Sequence, residues 1–128
     1  MKTKYTVALA MAAGFALGGL AVQGLHAQAK PLGFYVAEIT VKDQDAYMKE
    51  FVPPATKSLQ DAAGKFVIRG GKTITAQGAA PAARVVVLQF DSLEKAEAWW
   101  NSPAQKAAQA IGDKYATFRS FLVEGVGQ

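Results

Sequence analysis

From Gly33 to Val126 the sequence presents strand and helix signals in one order, and that order leaves few folds open. Gly33 to Val41 is β-branched and aromatic and ends at the polar group Lys42-Asp43-Gln44-Asp45, so it reads as a strand. Asp43 can cap a helix in which Tyr47, Phe51, Ala55, Leu59 and Ala62 recur at steps of four or three and face a core. Pro53 and Pro54 fall inside that helix and should kink or restart it, and Gly64 should stop it. Lys65 to Arg69 reads as a second strand. Gly70-Gly71 then reads as a turn or bulge, Lys72 to Thr75 as a weaker extension, and residues 77–83 as a loop. Arg84 to Phe90, with its Val-Val-Val-Leu centre, is the strongest strand signal and looks buried on both faces. Asp91-Ser92-Leu93-Glu94 has the form of a capping box, and Leu93, Ala96 and Trp100 share one face of the helix behind it. Asn101-Ser102-Pro103 restarts a helix, with Ser102 as cap and Pro103 at the first helical position, running to Ile111 and ended by Gly112. Thr117 to Val126 closes the chain as a strand. Strand, helix, strand, strand, helix, strand is the split βαβ order, so the expected class is α+β: a ferredoxin-like βαββαβ unit with a four-stranded antiparallel sheet and its helices on one face. Strands this apolar on both faces imply a second protomer against the other face.

What precedes this unit has a different character. Lys2 and Lys4 stand before an uncharged apolar stretch from Val7 to Val22, and small residues follow at Ala27 and Ala29, the order of a secretory signal peptide. Cleavage after Ala29, or after the neighbouring Ala27, would make residues 1–29 a leader and residues 30–128 the mature domain. The other reading of the stretch is an uncleaved membrane anchor, for which it is short. An exported chain of this kind is periplasmic or secreted and has no membrane attachment once cleaved. The chain has 128 residues and no cysteine, and its one histidine, His26, would leave with the leader. The mature domain then has no disulfides, thiol nucleophile, cysteine- or histidine-ligated metal, serine-histidine triad or proximal haem histidine, so neither metal nor cofactor is expected. The formal net charge of +4 falls by the two leader lysines, and no basic stripe is left to hold nucleic acid.

Arg69-Gly70-Gly71, then Val85-Val86-Val87-Leu88-Gln89-Phe90 running into Ser92-Leu93-Glu94-Lys95-Ala96, then Trp99-Trp100-Asn101-Ser102-Pro103, and last Val123-Glu124-Gly125-Val126 carry a resemblance. Together and in this order they resemble the family catalogued as domain of unknown function 1330, over about Tyr35 to Val126. The resemblance implies small dimeric α+β barrel proteins, two ferredoxin-like chains sharing one barrel, with a cavity between sheet and helices as in the wider dimeric barrel superfamily. That superfamily includes cofactor-free monooxygenases, lactone isomerases and haem-degrading enzymes. This chain departs from the family pattern by carrying Gln89 where a glutamate is usual and Gln105 where an aromatic is usual, which removes a carboxylate from the sheet and weakens an enzymatic reading by analogy.

Four residues are the candidates for ligand contact: Glu38, Arg69, Trp99 and Gln89. Glu38 is a lone carboxylate in an apolar strand, where burial would raise its pKa and make it a usable base; its plain alternative is a rim residue. Arg69 could anchor an anionic ligand or pair with Glu38 across the sheet. Gly70-Gly71 is no phosphate loop, since no helix follows it. Trp100 is assigned to the core, whereas Trp99, at the edge of the apolar stripe, is free to line a pocket or interface. Asn101 ends its helix, and Tyr35, Tyr47 and Tyr115 are read as core residues with hydroxyls at the rim. The expected function is an exported homodimeric barrel protein that binds a small, partly apolar molecule beside its sheet. The alternatives are a cofactor-free monooxygenase or isomerase, with Glu38 or a tyrosine moving a proton, and a structural or partner-binding dimer.

Overall fold

The computed structural model describes residues 30–127, and the compact unit spans Pro31–Val126; the expected leader lies outside the described residues. Four strands, β1 (Gly33–Val41), β2 (Lys65–Arg69), β3 (Arg84–Phe90) and β4 (Ala116–Glu124), form one sheet in the order β2-β3-β1-β4. All three pairings are antiparallel, with Tyr35 opposite Leu88 on β3 and Leu122 on β4. Together with the intervening helices this is the ferredoxin-like βαββαβ arrangement, as expected.

Period-two burial divides the sheet into two faces. Tyr35, Ala37 and Ile39 of β1 and Val86, Leu88 and Phe90 of β3 are buried under the helices. The alternate residues Phe34, Val36, Val85, Val87 and Gln89 are only half-buried, so β3 is covered on one face rather than two. On β2 a bulge between Phe66 and Ile68 resets the alternation, which sends Ile68 to the open face and Arg69, opposite Val86, to the helix face. The bulge thus lies within β2 and not at Gly70-Gly71. Lys72 to Thr75 adds no strand, and Ile74 is 83% exposed in an irregular segment.

The first helical stretch passes around its prolines. Asp43 accepts from the Ala46 N–H at 3.1 Å and caps α1 (Gln44–Ala46). A π-helical turn, Tyr47–Phe51, follows, and α2 (Val52–Asp61) begins with the prolines in its first turn, where no N–H is needed. Tyr47, Phe51 and Leu59 are buried along the expected stripe. The left-handed residue past the end of α2 is Ala63 (φ 58°) rather than Gly64, whose N–H donates to the Leu59 carbonyl at 3.0 Å.

Ser92 caps α3 (Leu93–Trp100) by accepting from the Lys95 N–H. Because the third residue past this cap is Lys95, Glu94 does not provide the reciprocal arm of a capping box. Ser102 caps α4 (Pro103–Tyr115) by accepting from the Gln105 N–H, with Pro103 in the first turn. Gly112 does not stop α4, which continues to Tyr115. A Cβ at Gly112 would lie 2.6 Å from a Phe51 ring carbon, so this glycine permits close approach of helix and ring. The helices and the covered face of the sheet enclose an aromatic core in which Trp99 meets Phe90 at 5.0 Å and Tyr35 at 5.1 Å between ring centroids.

A candidate ligand cavity between sheet and helices

The covered face of the sheet does not close completely. Between it and α2 and α4 lies a cavity of about 60 Å³, room for about four or five water molecules. Its walls are mostly rings and aliphatic chains, among them Tyr35, Tyr47, Phe51, Leu59, Phe66 and Phe118. The lining residues that carry polar groups are Arg69, Arg84, Trp99, Gln105, Gln109, Thr56, Tyr35 and Tyr47. Arg69, at the end of β2, and Arg84, at the start of β3, are its charged members, and no carboxylate lines it. Each guanidinium is held against a ring: Arg69 lies 4.2 Å over Phe66 and Arg84 lies 5.8 Å over Tyr47. Arg69 is exposed, so this end of the cavity faces solvent.

The four candidates fall on two faces. Arg69 and Trp99 line the cavity, and Trp99 is 4% exposed, more deeply buried than Trp100. Trp100, assigned to the core from its spacing, is half-buried and stacks on Tyr35 at 5.6 Å, with the Lys106 ammonium 4.1 Å from its ring centroid. Glu38 and Gln89 occupy alternate positions of β1 and β3 and lie on the open face, away from the cavity.

Of the two roles open to Arg69, pairing with Glu38 is not the one found: the Glu38 ion pair forms with Arg119 of β4, at 2.6 Å, while the Ala82 N–H donates to the other carboxylate oxygen at 3.0 Å. The Ala82 hydrogen bond first, and then Arg119, hold the Glu38 carboxyl below its ordinary value. Its expected upward shift by burial is therefore reversed, because its side chain lies at a solvent-facing rim. Burial pushes the Tyr35 hydroxyl up, partly offset by a hydrogen bond with Ser120. The hydrogen bond to Glu50 raises that of Tyr115. Both stay protonated near neutral pH and serve as hydrogen-bonding groups rather than bases.

Spacing alone did not single out Arg84, Gln105 and Gln109. Gln105, 2% exposed, accepts from the Ser58 hydroxyl at 3.1 Å and so ties α4 to α2 through a buried polar pair. Gln109 gives its amide nitrogen to Asp113 at 2.9 Å. Three buried polar atoms have no hydrogen-bond partner among the described residues: Arg84 Nε, Trp99 Nε1 and Gln109 Oε1, and all three belong to residues lining this cavity. The described residues contain no group of His, Cys, Asp and Glu fit to hold a metal ion, and no helix among them is long and apolar enough to cross a membrane.

No curated protein matches the chain. Among solved structures it is similar to a protein of unknown function from Rhodopseudomonas palustris, at 11% identity and a TM-score of 0.59, covering 84% of this chain and 94% of that one. A methylated form of that protein matches at 11% identity and a TM-score of 0.60, covering 83% and 90%. A dimeric ferredoxin-like protein of unknown function from Thermobifida fusca is more distant, at 17% identity and a TM-score of 0.36 over 73% of this chain and 92% of that one. At such identities the first two likenesses bear on fold alone. The family model described as "Domain of unknown function (DUF1330)" matches residues 32–126, nearly all of the folded unit, and the chain therefore belongs to that family.

Proposed function

We propose that this chain is an exported, homodimeric barrel protein that binds a small, partly apolar molecule in the cavity beside its sheet, with Arg69 and Trp99 among the contacts. The observation that carries the reading is the cavity itself: apolar walls, a few polar groups, and three buried polar atoms left without partners. A buried donor or acceptor without a partner costs about 1–3 kcal/mol, and a bound molecule that satisfied these atoms would recover part of that. The leader pattern supports export. Dimerisation is supported by the open sheet face, where Phe34, Val36, Val87, Ile68, Phe121 and Val123 leave an apolar surface. The cofactor-free monooxygenase or isomerase reading needs a base beside the cavity. Glu38 lies on the other face and is held in its charged form by Ala82 and Arg119, so binding is preferred over that chemistry.

Native mass spectrometry of residues 30–128, purified from the exported fraction, tests this. The expected species is a dimer carrying small-molecule mass that is lost on denaturation. A bare monomer would overturn both parts of the reading, and a bare dimer would remove the ligand while leaving the assembly.

A further inference from the structure

We propose that the molecule this cavity takes is a small organic anion, a monocarboxylate on an apolar body, with its charged group at the end formed by Arg69 and Arg84. This rests on the binding reading above and narrows it to a ligand class. Three independent features point the same way. The charged groups lining the cavity are both guanidinium, and no carboxylate lines it to neutralise them. Neither arginine takes part in an ion pair among the described residues, in contrast to Arg119, which pairs with Glu38. Of the three unpartnered buried atoms, two are N–H donors, Arg84 Nε and Trp99 Nε1, and the unpartnered guanidinium N–H at the arginine end suits an acceptor group carrying negative charge.

The backbone makes room for this arrangement. Gly70 holds φ at +67°, and a Cβ there would stand 2.4 Å from Arg84 Nη1, so any other residue at this turn would push the guanidinium aside. The Gly70 N–H is tied to the Val85 carbonyl at 2.8 Å, fixing the turn beside the start of β3. A neutral amide at the same end would meet donors with donors on one side, whereas a carboxylate accepts from both arginines. Apart from the arginines the lining is uncharged and mostly aromatic and aliphatic, which favours an apolar body over a second charge. Phosphate, with more charge and no apolar part, would leave those walls in contact with water or with polar oxygens. The volume, about four or five waters' worth, limits the body to one ring or a short branched chain.

The test compares benzoate with benzamide, its neutral isostere, on the mature chain, reading the melting temperature and the calorimetric Kd. Benzoate is expected to raise the melting temperature and to weaken as salt increases, and benzamide to bind at least tenfold more weakly. Arg84→Gln should cost benzoate at least tenfold in Kd and bring the two probes together. Arg69→Gln, at an exposed position where folding is not at stake, should reduce the preference for benzoate severalfold, and it decides the matter if Arg84→Gln fails to fold. Equal binding of benzoate and benzamide, or an unchanged preference in these variants, would overturn the anion assignment while leaving a binding cavity. Binding of neither probe would overturn the cavity reading and this inference with it.

Discussion

Glu38 shows how one register position reverses a residue's chemistry. An isolated carboxylate in an apolar strand suggests burial and a raised pKa, but alternation places Glu38 on the open face, where the Ala82 N–H and the Arg119 guanidinium stabilise its charged form. A carboxyl whose folded pKa lies below its unfolded one stabilises the protein above the unfolded value, about 4.3 for glutamate. That contribution is lost as pH falls through the lower, folded value. Urea unfolding of wild type and Glu38→Gln should therefore show wild type more stable at pH 7 and the gap closing below about pH 4. A gap of the same size at pH 3 would mean that the carboxylate's charge contributes nothing. That Glu38 is a lone carboxylate was readable from sequence. Its partner was not, because Arg119 lies eighty-one residues away and becomes adjacent only when β4 pairs with β1.

At the scale of the element, local rules held where the partners are local and failed where packing chooses. Asp43, Ser92 and Ser102 act as caps because each side chain and the N–H it satisfies lie within one turn. The two indoles of α3 exchange places between pattern and packing: spacing joins Trp100 to Leu93 and Ala96, whereas Phe90 and Tyr35 draw Trp99 inward. Adjacent positions differ by only about 100° around a helix, so the neighbouring stripe was nearly as good a reading until the sheet supplied its rings. Gly112 carries the same lesson. As a helix-interior glycine it should gain about 1 kcal/mol on replacement by alanine, yet the added methyl would press on the buried Phe51 ring, and overpacking costs about 1–3 kcal/mol. Gly112→Ala is thus expected to destabilise the fold, measured as a lower urea midpoint with helix content unchanged. A higher midpoint would show that Phe51 yields without cost.

For the whole molecule, the sheet's two faces divide the work. One is covered by helices around the cavity; the other carries Ile68, Phe121 and Val123 in the open, with Phe121 half exposed. Covering a large apolar side chain contributes about 1.5–3 kcal/mol, and a second protomer would cover several at once on both sides of the contact. Phe121→Glu places a charge in that surface and is expected to shift the protein from dimer to monomer in sedimentation equilibrium without changing the monomer's secondary structure. Were the variant to remain a dimer, assembly would run through another surface. A second protomer on that face would leave the cavity separate from the contact, since the sheet lies between them.

The element order, the bounds of β1 and β3, the Asp43 and Ser102 caps and the ferredoxin-like class are legible in the amino-acid sequence, because these depend on periodicity and on hydrogen bonds within a few residues. The absence of cysteine, and with it of any thiol or disulfide chemistry of the chain's own, is read from the sequence in the same way. Which side chains meet emerges on folding: Glu38 and Gln89 share a face opposite Arg69 and Trp99, Lys72 to Thr75 adds no strand, and Arg84 and Gln109 join the cavity wall. A one-residue bulge in β2 sets the side on which Arg69 lies, and such a shift leaves composition and local propensity unchanged. Residues brought together by pairing distant strands leave no mark on the local pattern, which is why the cavity's two guanidinium groups could be recognised as a pair only in the folded chain.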